Sequence, residues 1–302
     1  MKMIKVRTTE LGNQGDGSSG RLEGAAVSNR KGGKASKLPS LMVIVFLAGL
    51  SVFLYPFVSN MVAVHNAAQA IQNYDAHVTH LSPAQITDEL QRAQVYNENL
   101  AGDPVHDPFI AGSGMALPEN YESVLNIDGD GLMGYIKIPA INVDLPIYHG
   151  TSDAVLEKGV GHIEQTALPV GGAGTHAVLS GHTGLPSAKL FTDLTKLKEG
   201  DVFIITVLNQ KFTYQVDRIT VILPDQIDQL QAVPGEDHIT LLTCTPYGIN
   251  DHRLLVRGMR IPNQDDVQIQ SQTFPWRKAM IAGATVLTGM ALIVRRKMKH
   301  KK

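Results

Sequence analysis

The chain has 302 residues, of which 43% are hydrophobic and 18% charged, and its formal net charge at pH 7 is -1. This is the balance of an ordinary folded protein, and it excludes binding to nucleic acid through an overall positive charge. The chain holds one cysteine, which excludes a disulfide within it.

The beginning of the chain combines a polar tail with a long apolar run. Residues 1–38 are rich in Gly, Ser, Lys and Arg, a composition that predicts a disordered tail. The uncharged run at 40–58 has 19 residues, about the length that a helix needs to cross ~30 Å of hydrocarbon. We therefore predict a transmembrane signal anchor over 39–60. A cleaved signal peptide is the alternative, but the run is long for one and begins far from the start of the chain.

A second uncharged run, of 16 residues, lies near the other end of the chain at 279–294. Trp276 and Arg277 precede it, and the final segment, 295–302, contains six Lys or Arg. A run of this length is also compatible with a buried core helix, but such a helix would not be expected to end in a basic cluster. We predict a second transmembrane helix over 279–294, after a linker at 266–278.

Basic residues fix the predicted orientation in the membrane. Arg30, Lys31, Lys34 and Lys37 precede the first run, and the basic tail follows the second, so the positive-inside rule puts both termini in the cytoplasm. The intervening segment is then extracytoplasmic. Cysteines outside the cell are normally paired, so a single thiol there is a buried apolar side chain, an intermolecular crosslink or a nucleophile.

The segment that follows the first span predicts helices and then a long loop. Residues 61–100 include a glycine-free stretch with a capping box from Ser82 to Gln85, which indicates N-terminal helices. Residues 101–120 are rich in Pro and Gly, and loops of this length tend to be functional lids or disordered segments.

From residue 121 to 265 the sequence alternates short β-branched runs with turn residues. Seven or eight strands at this spacing indicate an all-β barrel or sandwich. Asn126, Asp128 and Asp130 fit the front half of a calcium loop, but Lys137 occupies the position of its bidentate glutamate. We predict a solvated turn there, with a weak surface calcium site as the alternative. The scattered His residues and one Cys predict no other metal site.

The cysteine ends one strand and an arginine begins the next. The run 239–243 ends at Cys244, Pro246 and Gly248 break the pattern, and a second β-rich run begins at Arg253. If the two strands pair antiparallel, Cys244 and Arg253 lie at the same edge. A lone cysteine is often only a small buried apolar side chain. An arginine is rarely placed beside a barrel core, however, so Arg253 suggests a functional role for this edge.

A nucleophilic thiol also needs a base, and arginine cannot accept a proton. Of the eleven histidines, His182 is best placed, because an apolar run ends there in a glycine-flanked turn. His252, next to Arg253, is the alternative. His176 begins the same apolar run and is expected at the opposite end of that strand.

These motifs resemble a known family. The segments 243–248 (TCTPYG) and 253–258 (RLLVRG) are similar to the active-site signature of the sortases, specifically the class C, pilus-assembling group. Leu179–His182 resembles their histidine motif and Gly134–Pro139 their first barrel strand. Asp107-Pro108-Phe109 resembles the class C lid. The resemblance implies a closed barrel of about eight strands with N-terminal helices and two transmembrane helices.

The resemblance also implies a function, that of a membrane-anchored cysteine transpeptidase without a cofactor. Cys244 would attack the Thr–Gly bond of an LPXTG-like sorting signal and form a thioester. His182 would move the protons, and Arg253 would stabilise the oxyanion. The partners would be pilin and surface proteins that carry such signals, with a pilin lysine as the acceptor.

The lid would cover the site at rest, with Asp107 near Arg253 and Phe109 near Cys244. Three alternatives stay open at this point: a sortase that anchors surface proteins to peptidoglycan, a hydrolytic cysteine protease, and a non-catalytic membrane-anchored β domain.

Overall fold

The computed structural model describes residues 38–100 and 120–263. The chain divides into two compact units, residues 1–49 and 50–302. The predicted linker, second transmembrane helix and basic tail, at 266–302, lie outside the described residues, as does nearly all of the predicted lid loop. These predictions stay as they were made.

Two helices precede the barrel: α1, Leu38–His80, and α2, Pro83–Asn99. The sequence predicts a span followed by two short helices, but the span and the first of these helices form one continuous helix. The reason is that residues 57–80 contain neither Gly nor Pro, so nothing ends the helix where its apolar run ends. The predicted capping box is confirmed, since the Ser82 hydroxyl accepts from the backbone N–H of Gln85 and the Gln85 side chain accepts from that of Ser82.

Within the described residues, one helix is long and apolar enough to cross a membrane, namely α1 from Met42 onward. Its most apolar window is not buried by the rest of the protein. This agrees with the first of the two predicted spans.

The eight strands close into a barrel in the order β1-β2-β3-β4-β7-β8-β6-β5. Their bounds are β1 Leu132–Ile138, β2 Val143–His149, β3 Val160–His162, β4 Thr175–Ser180, β5 Val202–Val207, β6 Gln210–Ile222, β7 Asp237–Thr245 and β8 His252–Ile261. The predicted all-β closed barrel is therefore confirmed. A 3₁₀ turn, Tyr121–Ser123, precedes β1, and a short helix α3, Asp153–Leu156, lies between β2 and β3. Three further 3₁₀ turns lie between strands, at Pro139–Ile141, Thr192–Lys196 and Ile227–Leu230.

The packing of β8 against β5 and β6 depends on a glycine. Phe203 and Tyr214 stack with ring centroids 5.6 Å apart, and Gly258 lies against them. A Cβ atom at Gly258 would lie 2.5 Å from Phe203 Cε1. Strand β8 therefore passes this aromatic pair only because residue 258 has no side chain.

Helix α1 packs on the barrel through residues spaced three or four apart, which is one helix face. Ala67, Ile71, Tyr74 and Val78 are buried there. The Tyr74 hydroxyl donates to the carbonyl of Met133 at 2.8 Å and accepts from the N–H of Leu208 at 2.9 Å. One phenol thus joins the helix to β1 and to the β5–β6 turn.

The turn before β1 uses its polar side chains internally. The Asn126 side-chain oxygen accepts from the N–H of Gly131, and Asp130 accepts from the N–H of Leu132, both at 2.9 Å. Asp128 contacts His77 on α1. These contacts fit the predicted turn, and within 38–100 and 120–263 no group of three or more His, Cys, Asp or Glu could hold a metal ion.

Candidate active site

Cys244 and Arg253 are directly opposite each other across the β7–β8 ladder. Opposed residues of an antiparallel pair project from the same face, with Cβ atoms about 4.5–5.5 Å apart. Both residues are nearly buried, at 8% and 5% exposure. The predicted hairpin therefore brings the sulfur and the guanidinium to one place at the barrel rim.

The connection between β7 and β8 holds the arginine. One guanidinium nitrogen of Arg253 donates to the carbonyl of Asn250 at 3.1 Å and to that of His252 at 3.2 Å. Asn250 has a φ of 62°, in the left-handed region that asparagine tolerates better than most residues. The turn thus presents a carbonyl to the guanidinium and holds the arginine side chain in one orientation.

His182 follows β4, the parallel neighbour of β7. The register pairs Ser180, the last residue of β4, with Leu242. Continuing this register by two residues would bring His182 level with Cys244, about one strand spacing of ~4.8 Å away. The N–H of Gly181 donates to the carbonyl of Leu242 at 3.1 Å. The Thr243 hydroxyl donates to the carbonyl of Gly181 at 2.6 Å.

Sequence reasoning missed the role of Thr243 as the tether between the histidine and cysteine segments. Its signal was its position directly before Cys244, but its partner lies 62 residues away in the chain. Gly181 is also needed at this tether, because a Cβ there would lie 2.7 Å from Phe191 Cδ2. A bulkier residue would push the histidine away from β7.

The environment of His182 favours the neutral imidazole. Burial lowers its pKa, and the carboxylates of Asp153 and Glu157 oppose this shift. A neutral ring near pH 7 can accept a proton from a thiol and can later return it. The three residues thus have the chemistry that the predicted roles require, namely a thiol, an imidazole and a fixed positive charge.

The competing histidines occupy other positions. His252 is the register partner of Thr245 and precedes Arg253 on the strand, so the two side chains leave opposite faces. His176 is the second residue of β4, at the far end of the strand from His182, where it contacts the carbonyl of Gln231 at 3.0 Å and the hydroxyl of Thr240 at 2.7 Å. Both placements favour His182 as the base.

Two buried histidines make the barrel sensitive to acid. Burial lowers the pKa of His162 to about 3 and that of His176 to about 4, whereas histidine in an unfolded chain titrates near 6.5. The unfolded state therefore binds protons that the folded state excludes. We expect the free energy of unfolding to fall as the pH drops below ~6.5, by about 1.4 kcal/mol per pH unit for each histidine, until its folded pKa is reached.

Urea unfolding of the detergent-solubilised chain between pH 7 and pH 5 measures this slope. His162→Gln should reduce the pH dependence of the free energy of unfolding by the contribution of one proton, about 1.4 kcal/mol per pH unit. His80→Gln is the control, because this histidine lies at an exposed position on α1. An unaltered pH dependence in His162→Gln would contradict the lowered pKa of His162.

Comparisons with known proteins agree with this geometry. The sortase domain family model matches residues 136–261. Streptococcus agalactiae sortase C1 is 48% identical, with a TM-score of 0.61 over 65% of this chain and 100% of that one. Streptococcus pneumoniae sortase C is 41% identical, with a TM-score of 0.60 over 66% and 100% of the two chains.

Curated relatives match over shorter segments. Bacillus anthracis sortase A is 27% identical over 50% of this chain and 70% of its own length. Streptococcus agalactiae sortase A is 31% identical over 38% of this chain, and the match spans about half of that relative, 47% of its length. The shared barrel and the high identity to solved sortase C enzymes together show that the chain belongs to the sortase family of cysteine transpeptidases, in its class C.

Proposed function

We propose that this class C sortase cleaves an LPXTG-like sorting signal between Thr and Gly. It then transfers the threonine carbonyl, held as a thioester, to a pilin lysine, and repeated transfer builds covalent pili. The observation that carries the proposal is the pairing of Cys244 with Arg253 beside the His182 segment. Further support comes from the Streptococcus pneumoniae relative, whose structure is described in terms of pilin substrate specificity.

In the proposed first half-reaction, the Cys244 sulfur attacks the carbonyl carbon of the signal threonine. His182 takes the thiol proton and gives it to the departing glycine amine as the C–N bond breaks. The positive charge of Arg253 stabilises the oxyanion of the tetrahedral intermediate, which carries more charge than the ground state. The products are a thioester and a free amine.

In the second half-reaction, a neutral lysine amine attacks the thioester. His182 takes a proton from this amine, and the Cys244 thiolate leaves and is reprotonated. One amide bond has been exchanged for an isopeptide bond, without a cofactor or a net redox change. Water would compete for the thioester, so the cleft must admit the amine in preference to water.

The proposed organisation follows the sequence. The catalytic barrel, 121–265, lies outside the cell membrane, and the signal anchor at 39–60 and the second helix at 279–294 leave both termini in the cytoplasm. A lid at 101–120 covers the cleft at rest, with Asp107 against Arg253 and Phe109 over Cys244, and Pro108 between them. The exposed apolar surface of α1 supports the anchor.

Mass spectrometry of the product linkage tests the proposal. The full chain is incubated with an LPXTG peptide and either a pilin lysine peptide, a peptidoglycan crossbridge amine or no amine. We expect an isopeptide product with the lysine peptide and little product without an amine. A preference for the crossbridge amine would select the rival that anchors surface proteins to peptidoglycan, and an equal rate without any amine would indicate a hydrolase.

A further inference from the structure

The loop that carries the candidate base is tied to the anchor helix. The Ser59 hydroxyl donates to the carbonyl of Ser187 at 3.0 Å, and the N–H of Lys189 donates to the Asn60 side chain at 2.8 Å. Both partners belong to the loop between His182 and Phe191, which is closed by a hydrogen bond from the Phe191 N–H to the His182 carbonyl at 3.1 Å. This loop therefore lies beside residues 59 and 60, at the same level along the axis of α1.

That level coincides with the end of the apolar part of the helix. A helix crosses ~30 Å of hydrocarbon in about 20 residues, so a span that begins near residue 39 ends near residue 58. The first charged residue of α1 is Asp75. Apolar side chains also remain exposed for one further turn beyond the tie, at Met61, Val62 and Val64. Ser59 and Asn60 consequently lie at the headgroup level of the outer leaflet.

The β7–β8 connection lies against the same loop. The Tyr247 ring packs at Gly184, where a Cβ would lie 3.2 Å from Tyr247 Cε2. Gly184 is three residues from Ser187, so the two are separated by at most about 11 Å of chain. The headgroup region on each side of the hydrocarbon is roughly 5–8 Å thick, so this connection is within reach of it.

The side chains of the connection suit a lipid interface better than water. Tyr247 is 69% exposed and Ile249 is 68% exposed, and the two are separated by one residue on the same connection. Exposed apolar side chains that cluster on a surface mark sites that contact proteins or membranes. Tyrosine is enriched at membrane interfaces, because its ring is apolar and its hydroxyl remains hydrated. The exposed carboxylate of Asp251 follows, which argues against attraction by anionic lipids and for an apolar insertion.

We infer that Tyr247 and Ile249 insert into the headgroup region of the outer leaflet, so that the β7–β8 connection docks on the lipid bilayer that holds α1. This inference rests on the proposed membrane anchor. The occupant of the apolar pair is lipid, because the pair is continuous through the tied loop with the exposed apolar surface of the helix. The edge of the barrel that carries Cys244 then lies near the membrane surface, and substrates held at that surface reach it in preference to those free in solution.

Spin-label depth measurements test this docking. The full chain has one cysteine, so Cys244→Ala provides a cysteine-free background for a nitroxide at Tyr247→Cys or Ile249→Cys. Val233→Cys is the matched control, since it is also exposed and precedes β7, whose nine residues place it roughly 25 Å or more from the docked edge. Val52→Cys in α1 reports the anchor itself.

In liposomes of neutral lipid, oxygen accessibility relative to that of a water-soluble nickel chelate should be several-fold higher at 247 and 249 than at 233. The highest value is expected at 52. If the accessibility ratio is typical of water at 247 and 249 but typical of hydrocarbon at 52, the docking is overturned and the anchor stays intact. Aqueous values at all four positions would overturn both. An increase at 247 and 249 seen only with anionic lipid would overturn the apolar insertion.

Discussion

Replacing Cys244 with alanine should abolish both cleavage of the sorting signal and the formation of high-mass pilin ladders. In the proposed reaction the thiolate forms the covalent intermediate, and removing such a nucleophile typically costs 10⁴-fold or more in kcat. The measurement is an SDS gel of pilin from the native host, together with peptide turnover by the purified chain.

Cys244→Ser is the matched variant, since it keeps the size of the side chain and offers a poorer nucleophile. The barrel should fold in both variants, as measured by its circular dichroism, because the sulfur is a small part of the buried core. Ladders that persist in Cys244→Ala would refute the proposed thioester.

Replacing Arg253 with alanine should lower kcat by about 10²- to 10³-fold, the usual cost of losing an oxyanion-stabilising group. Arg253→Lys should recover only part of this loss. Lysine carries the same charge, but its single ammonium group cannot both donate to the carbonyls of Asn250 and His252 and present a planar fork to the substrate. Peptide turnover with kcat and KM determined separately is the readout.

The control for this prediction lies on the same strand. Arg257 is four residues further along β8, roughly 13 Å away, and pairs with Asp217 through two guanidinium nitrogens. Arg257→Lys should reduce stability slightly and leave kcat unchanged. Equal losses of kcat in Arg253→Lys and Arg257→Lys would mean that the guanidinium of Arg253 contributes to folding and has no separate role in catalysis.

Local pattern was enough to predict an all-β barrel or sandwich, and the closed barrel followed from the resemblance to sortases. The β-rich runs and the turn residues between them also predicted a hairpin that brings Cys244 and Arg253 to one edge. His182 was harder to predict, because its neighbour depends on the parallel pairing of β4 with β7 across 62 residues of intervening chain. The glycine-flanked turn indicated an exposed ring at a strand end but could not indicate which strand lay beside it.

Long-range polar contacts could not be predicted at all. The hydrogen bond between Ser59 and Ser187 joins residues 128 apart, and neither residue belongs to a motif. The continuous α1 was missed for a different reason. Hydropathy ends the predicted span at the first polar residues, but Ser59 and Asn60 are tolerated inside a helix when its neighbours are good helix formers. The predicted second span and the Asp107, Pro108 and Phe109 lid lie outside the described residues and stay predictions.

The closure of the barrel has a consequence for an enzyme that the proposed anchor would confine to a membrane surface. In the described barrel, each of the eight strands is hydrogen-bonded to two neighbours, so no strand has an entire edge unpaired that could template another chain. Copies confined together are therefore less prone to add strand to strand than copies of an open sheet, whose two outer strands each keep an unpaired edge.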